Sequence, residues 1–271
     1  MIAVSGRRWV MVDRVEIEGV TVEYEVVGTG DYVVLLHARP FVSWYTPLVE
    51  VLSEYSVLRY RRTVPHDRRP FSIDDDADVC AQLLDHVGFD RPHVAGHSYG
   101  GLLALALARS RAAALRSIAL LEPATSGLLE PEQARAGLAP LMEAYRTRGP
   151  AVAVEQFLRV VLGDDAPSLL ERFVPGGFDE AVANADQFFQ VELPAVTEWS
   201  FGHDDARLID QPILNVIGIE SAPRFVQGAA IVQTLFPASV RFELPGAGHL
   251  LMAQRPGAMA TRMAQFWAAG A

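Results

Sequence analysis

Residues 93–108 read HVAGHSYGGLLALALA. A short apolar run leads into Gly96-His97-Ser98-Tyr99-Gly100, and small and aliphatic residues follow. The order predicts a strand, a tight turn and a helix, the setting in which G-x-S-x-G forms a nucleophile elbow. Ser98 is expected at the tip of that turn, its hydroxyl pushed out of the surface by a strained backbone. A Cβ at Gly96 or Gly100 would crowd the neighbouring backbone, so glycine is what permits the turn. Gly101 and Ala104 let the helix approach the sheet. A bare G-x-S-x-G is a weak signal; the strand before it and the helix after it make Ser98 the candidate nucleophile.

On the amino-terminal side, residues 14–18 and 22–27 alternate apolar and polar around Gly19, which predicts a hairpin at a sheet edge. Residues 32–36 form a continuous apolar run, the mark of a strand buried on both faces. His37-Ala38-Arg39-Pro40 follows, then an expected helix over 43–54 and a strand over 56–60. Ser72 and Asp75 read as a capping pair for a helix ending near Val87. Asp74-Asp75-Asp76 fits a solvated first turn favoured by the helix dipole better than a metal site. On the carboxyl side a strand is expected over 116–121, ending in Glu122-Pro123. Residues 124–211 read as helices broken by proline and glycine. Strands resume at 213–217 and 240–244, with helices over 225–236 and 256–268. Strands alternating with helices predict an α/β fold, a doubly wound and mostly parallel sheet. Its core is expected over 12–125 and 206–271, with a helical cap inserted at 126–205 above the carboxyl ends of the strands.

The chain has 271 residues, 50% of them hydrophobic, enough for one large domain or a domain with an inserted lid. A net charge of −10 with no basic stripe argues against nucleic acid as a partner. The single cysteine, Cys80, excludes an internal disulfide and offers no cluster for zinc. Its place in a helical stretch predicts buried packing, and a Cys80–His86 dyad is a poorer choice than Ser98. No apolar run is long enough to span a bilayer. The start, MIAVSGRRWVMVDR, lacks the long apolar stretch of a signal peptide. A cytoplasmic protein without cofactor or metal is expected.

Five landmarks occur in order: HARP, an arginine-rich stretch containing Arg61-Arg62, GHSYGG, LLEP and GAGHLL. Together they resemble the cap-bearing, single-domain α/β-hydrolases of bacteria over residues 12–268. The resemblance implies Ser98 as nucleophile and, of the seven histidines, His249 as its base. It places His97 in supporting structure and His37 in the ordering of its own loop; His66, His86, His93 and His203 fall outside the landmarks. The backbone N–H groups of Tyr99 and Arg39 are implied as the oxyanion hole, with Ala38 standing where the family usually has glycine. The third triad member is open. The loop that usually carries an aspartate reads Gly218-Ile219-Glu220-Ser221, with Ser221 at the aligned position. Glu122, whose place is similar to the acid site of haloalkane dehalogenases, is preferred, and Glu220 is the alternative.

The reading that follows is a serine hydrolase acting on a carboxylic ester, lactone or related small-molecule acyl compound. A carbon–carbon bond hydrolase with the same triad and a non-catalytic ligand receptor are the alternatives. Phe157, Phe173, Phe178, Phe188, Phe189, Trp199 and Phe201 are expected mainly as the core of the cap, with a few lining an apolar pocket. The arginines of residues 59–69 are read as salt bridges across the sheet edge, or else as an anchor for an acidic substrate group.

Overall fold

The computed structural model describes residues 13–65, 67, 69–125, 128 and 131–270. The amino-terminal segment through Val12, His66, Ser126 at the expected start of the cap, and Ala271 lie outside the described residues. Eight strands share one sheet: β1 (Asp13–Ile17), β2 (Val20–Val27), β3 (Tyr32–Leu36), β4 (Ser56–Thr63), β5 (His93–His97), β6 (Ser117–Leu121), β7 (Ile213–Gly218) and β8 (Val240–Leu244). Their order is β1-β2-β4-β3-β5-β6-β7-β8. β1 and β2 form the expected hairpin, turned by Glu18 and Gly19 at φ 49° and 77°. β2 is antiparallel to β4, and every pairing from β4 to β8 is parallel.

β5, β6 and β7 are buried along their whole length, as strands covered by helices on both faces must be. The chain runs outward from β3 to β4 and then returns to the other side of β3 as β5. That reversal is a topological switch point, and the carboxyl ends of β3 and β5 flank the crevice it leaves.

The helix expected over 43–54 is divided. Pro40 opens a 3-10 segment, Arg39–Tyr45, that kinks at Phe41, and Pro47 opens α1 (Thr46–Val51). Proline fits a first helical turn and interrupts what comes before it, so two prolines make two short pieces. α2 (Ile73–Val87) begins on the expected Ser72–Asp75 capping box and stops at Gly88 with φ 73°. α3 (Tyr99–Arg111) follows the elbow.

Between β6 and β7 the described residues hold helices and no strand: α4 (Pro131–Arg148), α5 (Pro150–Leu162), α6 (Ala166–Phe173), α7 (Gly177–Ala183) and α8 (Leu193–Glu198), the last preceded by a π-helical turn, Phe188–Glu192. Phe189 is fully buried and stacks on Tyr145 within these helices. Phe157 and Phe188 instead meet Phe41 of the core, with ring centres 5.7 and 5.6 Å away. α9 (Pro223–Leu235) and α10 (Pro256–Ala269) complete the layers around the sheet.

The arginine-rich stretch is largely strand. Arg59 and Arg61 project from one face of β4 and pair with Glu25 and Glu23, their partners in register on β2. Arg62 projects from the other face, as alternation along a strand requires. No helix among the described residues is long and apolar enough to cross a membrane.

Candidate active site

Ser98 sits between β5 and α3 with φ 53° and ψ −116°, a conformation that non-glycine residues avoid. A Cβ on Gly96 would lie 2.2 Å from the Gly100 carbonyl oxygen, and one on Gly100 would lie 2.0 Å from that of Leu36. The tight packing that holds Ser98 in this strained turn therefore admits only glycine at both positions. Such strain is of order 1–3 kcal/mol and persists where the surroundings over-determine it.

His249, in the loop after β8, places Nδ1 2.7 Å from Oε2 of Glu122 at the end of β6. Both residues are buried. Glu122 also has a positive φ, 45°, and its side chain reaches that loop. Its second oxygen, Oε1, accepts from Gly218 N–H at 2.7 Å and from Ser221 Oγ at 2.5 Å. With Nδ1 of His249 bonded to Oε2, Nε2 is the ring nitrogen left free of the carboxylate. Glu220 is exposed; its own N–H bonds the Ala247 carbonyl, and its side chain does not meet His249. Of the two candidate carboxylates, the fold brings Glu122 to the histidine.

The imidazole is fixed from other sides too. Phe225 stacks on it with centres 3.9 Å apart and planes within 13°. His97 donates from Nε2 to the His249 carbonyl at 2.9 Å. Burial, and then the neighbouring His249, holds His97 well below its ordinary pKa and so neutral. Ser98 and His249 line one cavity of about 420 Å³, walled by Phe41, Trp44, Phe157, Phe188 and Phe225 among others. Ser98 Oγ and His249 share this cavity without a direct hydrogen bond; such contacts commonly tighten only with substrate.

The resemblance implies the backbone N–H of Arg39 as an oxyanion donor; in the structure that N–H donates to both carboxylate oxygens of Glu192, at 2.9 and 3.0 Å. Glu192 comes from the π-helical turn and also lines the cavity. Behind it lies a buried cluster of charges. Asp76 accepts from Arg39 Nη2 at 2.6 Å, from Arg62 Nε and Nη2 at 2.6 and 2.9 Å, and from the Tyr99 hydroxyl at 2.5 Å. Asp76 is therefore not part of a solvated first turn. It is fully buried, since α2 lies against β4 and the elbow helix. Burial opposes its charge, yet Arg39 and Arg62 hold it below the ordinary carboxylate value. Glu192 makes looser contacts, 3.1 Å to Arg39 and 3.4 Å to Arg62. There burial prevails over both arginines and pushes the carboxyl up to about 7.

The other titratable candidates take supporting places. His37 lies between the carbonyls of Ala38 and Tyr60, at 2.7 and 2.8 Å, and burial pushes it down to about 3. Burial pushes the Cys80 thiol up to about 11, while His86 contacts Tyr24. His93 and Ser117 are hydrogen-bonded at 2.7 Å, but they begin β5 and β6, at the end of the sheet opposite Ser98. Asp74 pairs with Arg109 and Asp75 caps α2, so the acidic triplet is dispersed. Sequence reading did not single out Glu192, the Ser221 contact or the Phe225 stack. The only trace of Glu192 is one acidic residue in the mainly apolar run 188–194.

A family model described as "Alpha/beta hydrolase family" matches residues 33–262. Part of the chain is similar to haloalkane dehalogenase 2 of Mycobacterium tuberculosis, 30% identical over 110 residues, 36% of this chain and 37% of that protein. Another match is lipase LipV of the same species, 30% identical over 135 residues, 48% of this chain and 49% of that protein. The matches thus span less than half the length of these curated relatives. Among solved structures, a thermophilic esterase from Thermogutta terrifontis superposes with a TM-score of 0.79 at 20% identity, covering 96% of this chain and 99% of that one. That likeness is one of fold. The family match runs from the first parallel strand into the last helix and encloses the elbow, Glu122 and His249: the chain belongs to the alpha/beta hydrolase family.

Proposed function

We propose that the protein is a serine hydrolase that cleaves a carboxylic ester, lactone or related acyl compound through an acyl-enzyme on Ser98. The observation that carries this reading is the buried Glu122–His249 contact beside the strained Ser98, both opening on one apolar cavity. A serine hydroxyl is a weak nucleophile until a base takes its proton, and His249 Nε2 is the nitrogen left free to do so. Ser98 Oγ attacks the acyl carbon as its proton passes to His249. Glu122 stabilises the imidazolium that forms. Tyr99 N–H, in the first turn of α3, faces the developing oxyanion, and Arg39 N–H is the second donor once it is free. The imidazolium then gives its proton to the departing alcohol. Water, activated by the same nitrogen, attacks the acyl-enzyme and releases the acid.

Displacement of a halide, the reaction in the name of one relative, is disfavoured here because the nucleophile is a serine rather than an aspartate. The apolar walls favour an apolar acyl group. In this reading residues 12–125 and 206–271 carry the triad, and the cap at 126–205 supplies much of the acyl pocket. A series of p-nitrophenyl esters of graded acyl length tests it. Turnover is expected, and Ser98→Ala should abolish it without loss of fold. Undiminished turnover by a folded Ser98→Ala protein, or a ligand bound intact without turnover, would contradict it.

A further inference from the structure

Resting on the serine-hydrolase reading, we propose that Glu192 is a cap-borne specificity residue: its carboxylate occupies the oxyanion site, and acyl groups large enough to press the Phe188–Glu192 turn aside are turned over in preference to small ones. An acceptor on Arg39 N–H sits where the acyl oxygen has to sit if that N–H is an oxyanion donor. Glu192 holds that place with both oxygens.

The charge cluster makes the occupant replaceable. Asp76 by itself bonds both guanidinium groups and the Tyr99 hydroxyl at 2.5–2.9 Å, so withdrawal of Glu192 leaves every member of that clamp in place. Two arginines then face one carboxylate, and the surplus positive charge lies beside the vacated N–H. Nη1 of Arg39 is then left without the Glu192 oxygen it faces at 3.1 Å, and its buried Nε makes no hydrogen bond among the described residues. A tetrahedral oxyanion supplies the missing counter-charge, whereas a neutral ester carbonyl does not. The exchange therefore favours the transition state over the bound substrate.

The lever for the exchange is Phe188, at the start of the same turn. Its ring packs on Phe41 and Phe157 at 5.6 and 4.6 Å and lines the cavity. An acyl chain that fills this cavity bears on Phe188; an acetyl group leaves most of the cavity's volume of about 420 Å³ empty. Five-residue π-helical turns inside helices are frequent at functional positions, where a small change of winding moves a side chain.

The experiment compares kcat/KM at pH 8, where Glu192 is mostly ionised, for p-nitrophenyl hexanoate and acetate in the native protein, Glu192→Ala and Glu192→Gln, with folding checked by circular dichroism and thermal melting. The glutamine substitution keeps the shape but loses the charge that holds the side chain between Arg39 and Arg62, so it serves if the alanine variant does not fold. Losing that charge-assisted contact is expected to speed the acetate ester about tenfold and the hexanoate ester less than about threefold, so the hexanoate-to-acetate preference collapses. An unchanged preference in a folded variant, or slower acetate turnover, overturns the assignment of Glu192 while native turnover upholds the hydrolase reading. No turnover of either ester by the native protein or its variants overturns the hydrolase reading and this proposal with it.

Discussion

Ser221, in the loop after β7, donates its hydroxyl to Glu122 at the end of β6, with Oγ 2.5 Å from Oε1. The loop that carries an acid in the proteins this chain resembles here supplies two donors, Ser221 Oγ and Gly218 N–H, to a carboxylate on the neighbouring strand. The carboxylate reaches the histidine from β6, and the β7 loop holds it turned toward that histidine.

If Ser221 acts in this way, Ser221→Ala removes one hydrogen bond to a charged group. We expect kcat for ester hydrolysis to fall about tenfold with the fold intact. Steady-state kinetics beside a thermal melt measures this, and an unchanged kcat would assign the hydroxyl a packing role only.

Glu122→Gln keeps the shape of the side chain but removes its charge and can invert the hydrogen bond to Nδ1. In the serine-protease template the corresponding change reaches ~10⁴ in kcat. We expect a loss of at least about a hundredfold here, and less than about tenfold for Glu220→Gln, whose carboxylate faces solvent. Equal losses in the two variants would show that Glu122 does not serve as the triad acid.

These contacts differ in how far they were legible in the sequence. The parallel strands were readable because apolar runs such as residues 32–36 and 213–217 are too short for helices and too uniform for a half-exposed sheet. The elbow was readable because glycine, serine and glycine fall at fixed spacing between a strand and a helix. Local signals of this kind end where partners are remote. Asp76 looks like the third acid of a solvated helix start, and only the packing of α2 against β4 shows that it is buried between Arg39 and Arg62. Glu192 lies 153 positions from Arg39, and nothing in its neighbourhood marks a contact with a backbone N–H. Choosing between Glu122 and Glu220 required knowing which one faces the loop after β8, a property of sheet register rather than of spacing.

The buried cluster has a stability consequence. Asp76→Asn leaves two buried guanidinium groups without their shared carboxylate. Removing one partner of a buried ion pair typically costs about 3–5 kcal/mol. We expect a loss of that size in urea unfolding, and a change under about 1 kcal/mol would be inconsistent with Asp76 as the centre of the cluster.

Glu192 makes stability depend on pH. Its carboxyl titrates near 4.5 when unperturbed and is pushed up to about 7 in the folded protein, chiefly through burial. Between those values the folded chain holds a proton that the unfolded chain has released. The contribution of Glu192 to stability therefore falls as pH rises through that window and is constant above it. Glu192→Gln removes the titration. Its Tm measured relative to the native protein should rise from pH 5 to pH 7 and then level off. A difference independent of pH would place the raised titration elsewhere.

The central claim is that Ser98 is the nucleophile, activated by His249 and Glu122. A fluorophosphonate probe reacts far faster with a serine so activated than with an ordinary hydroxyl, and mass spectrometry of the digested protein locates the adduct. We expect a single adduct on the peptide carrying Ser98, with labelling slowed at least about a hundredfold in Glu122→Gln. An unlabelled native protein, or an adduct on any residue other than Ser98, would contradict the account.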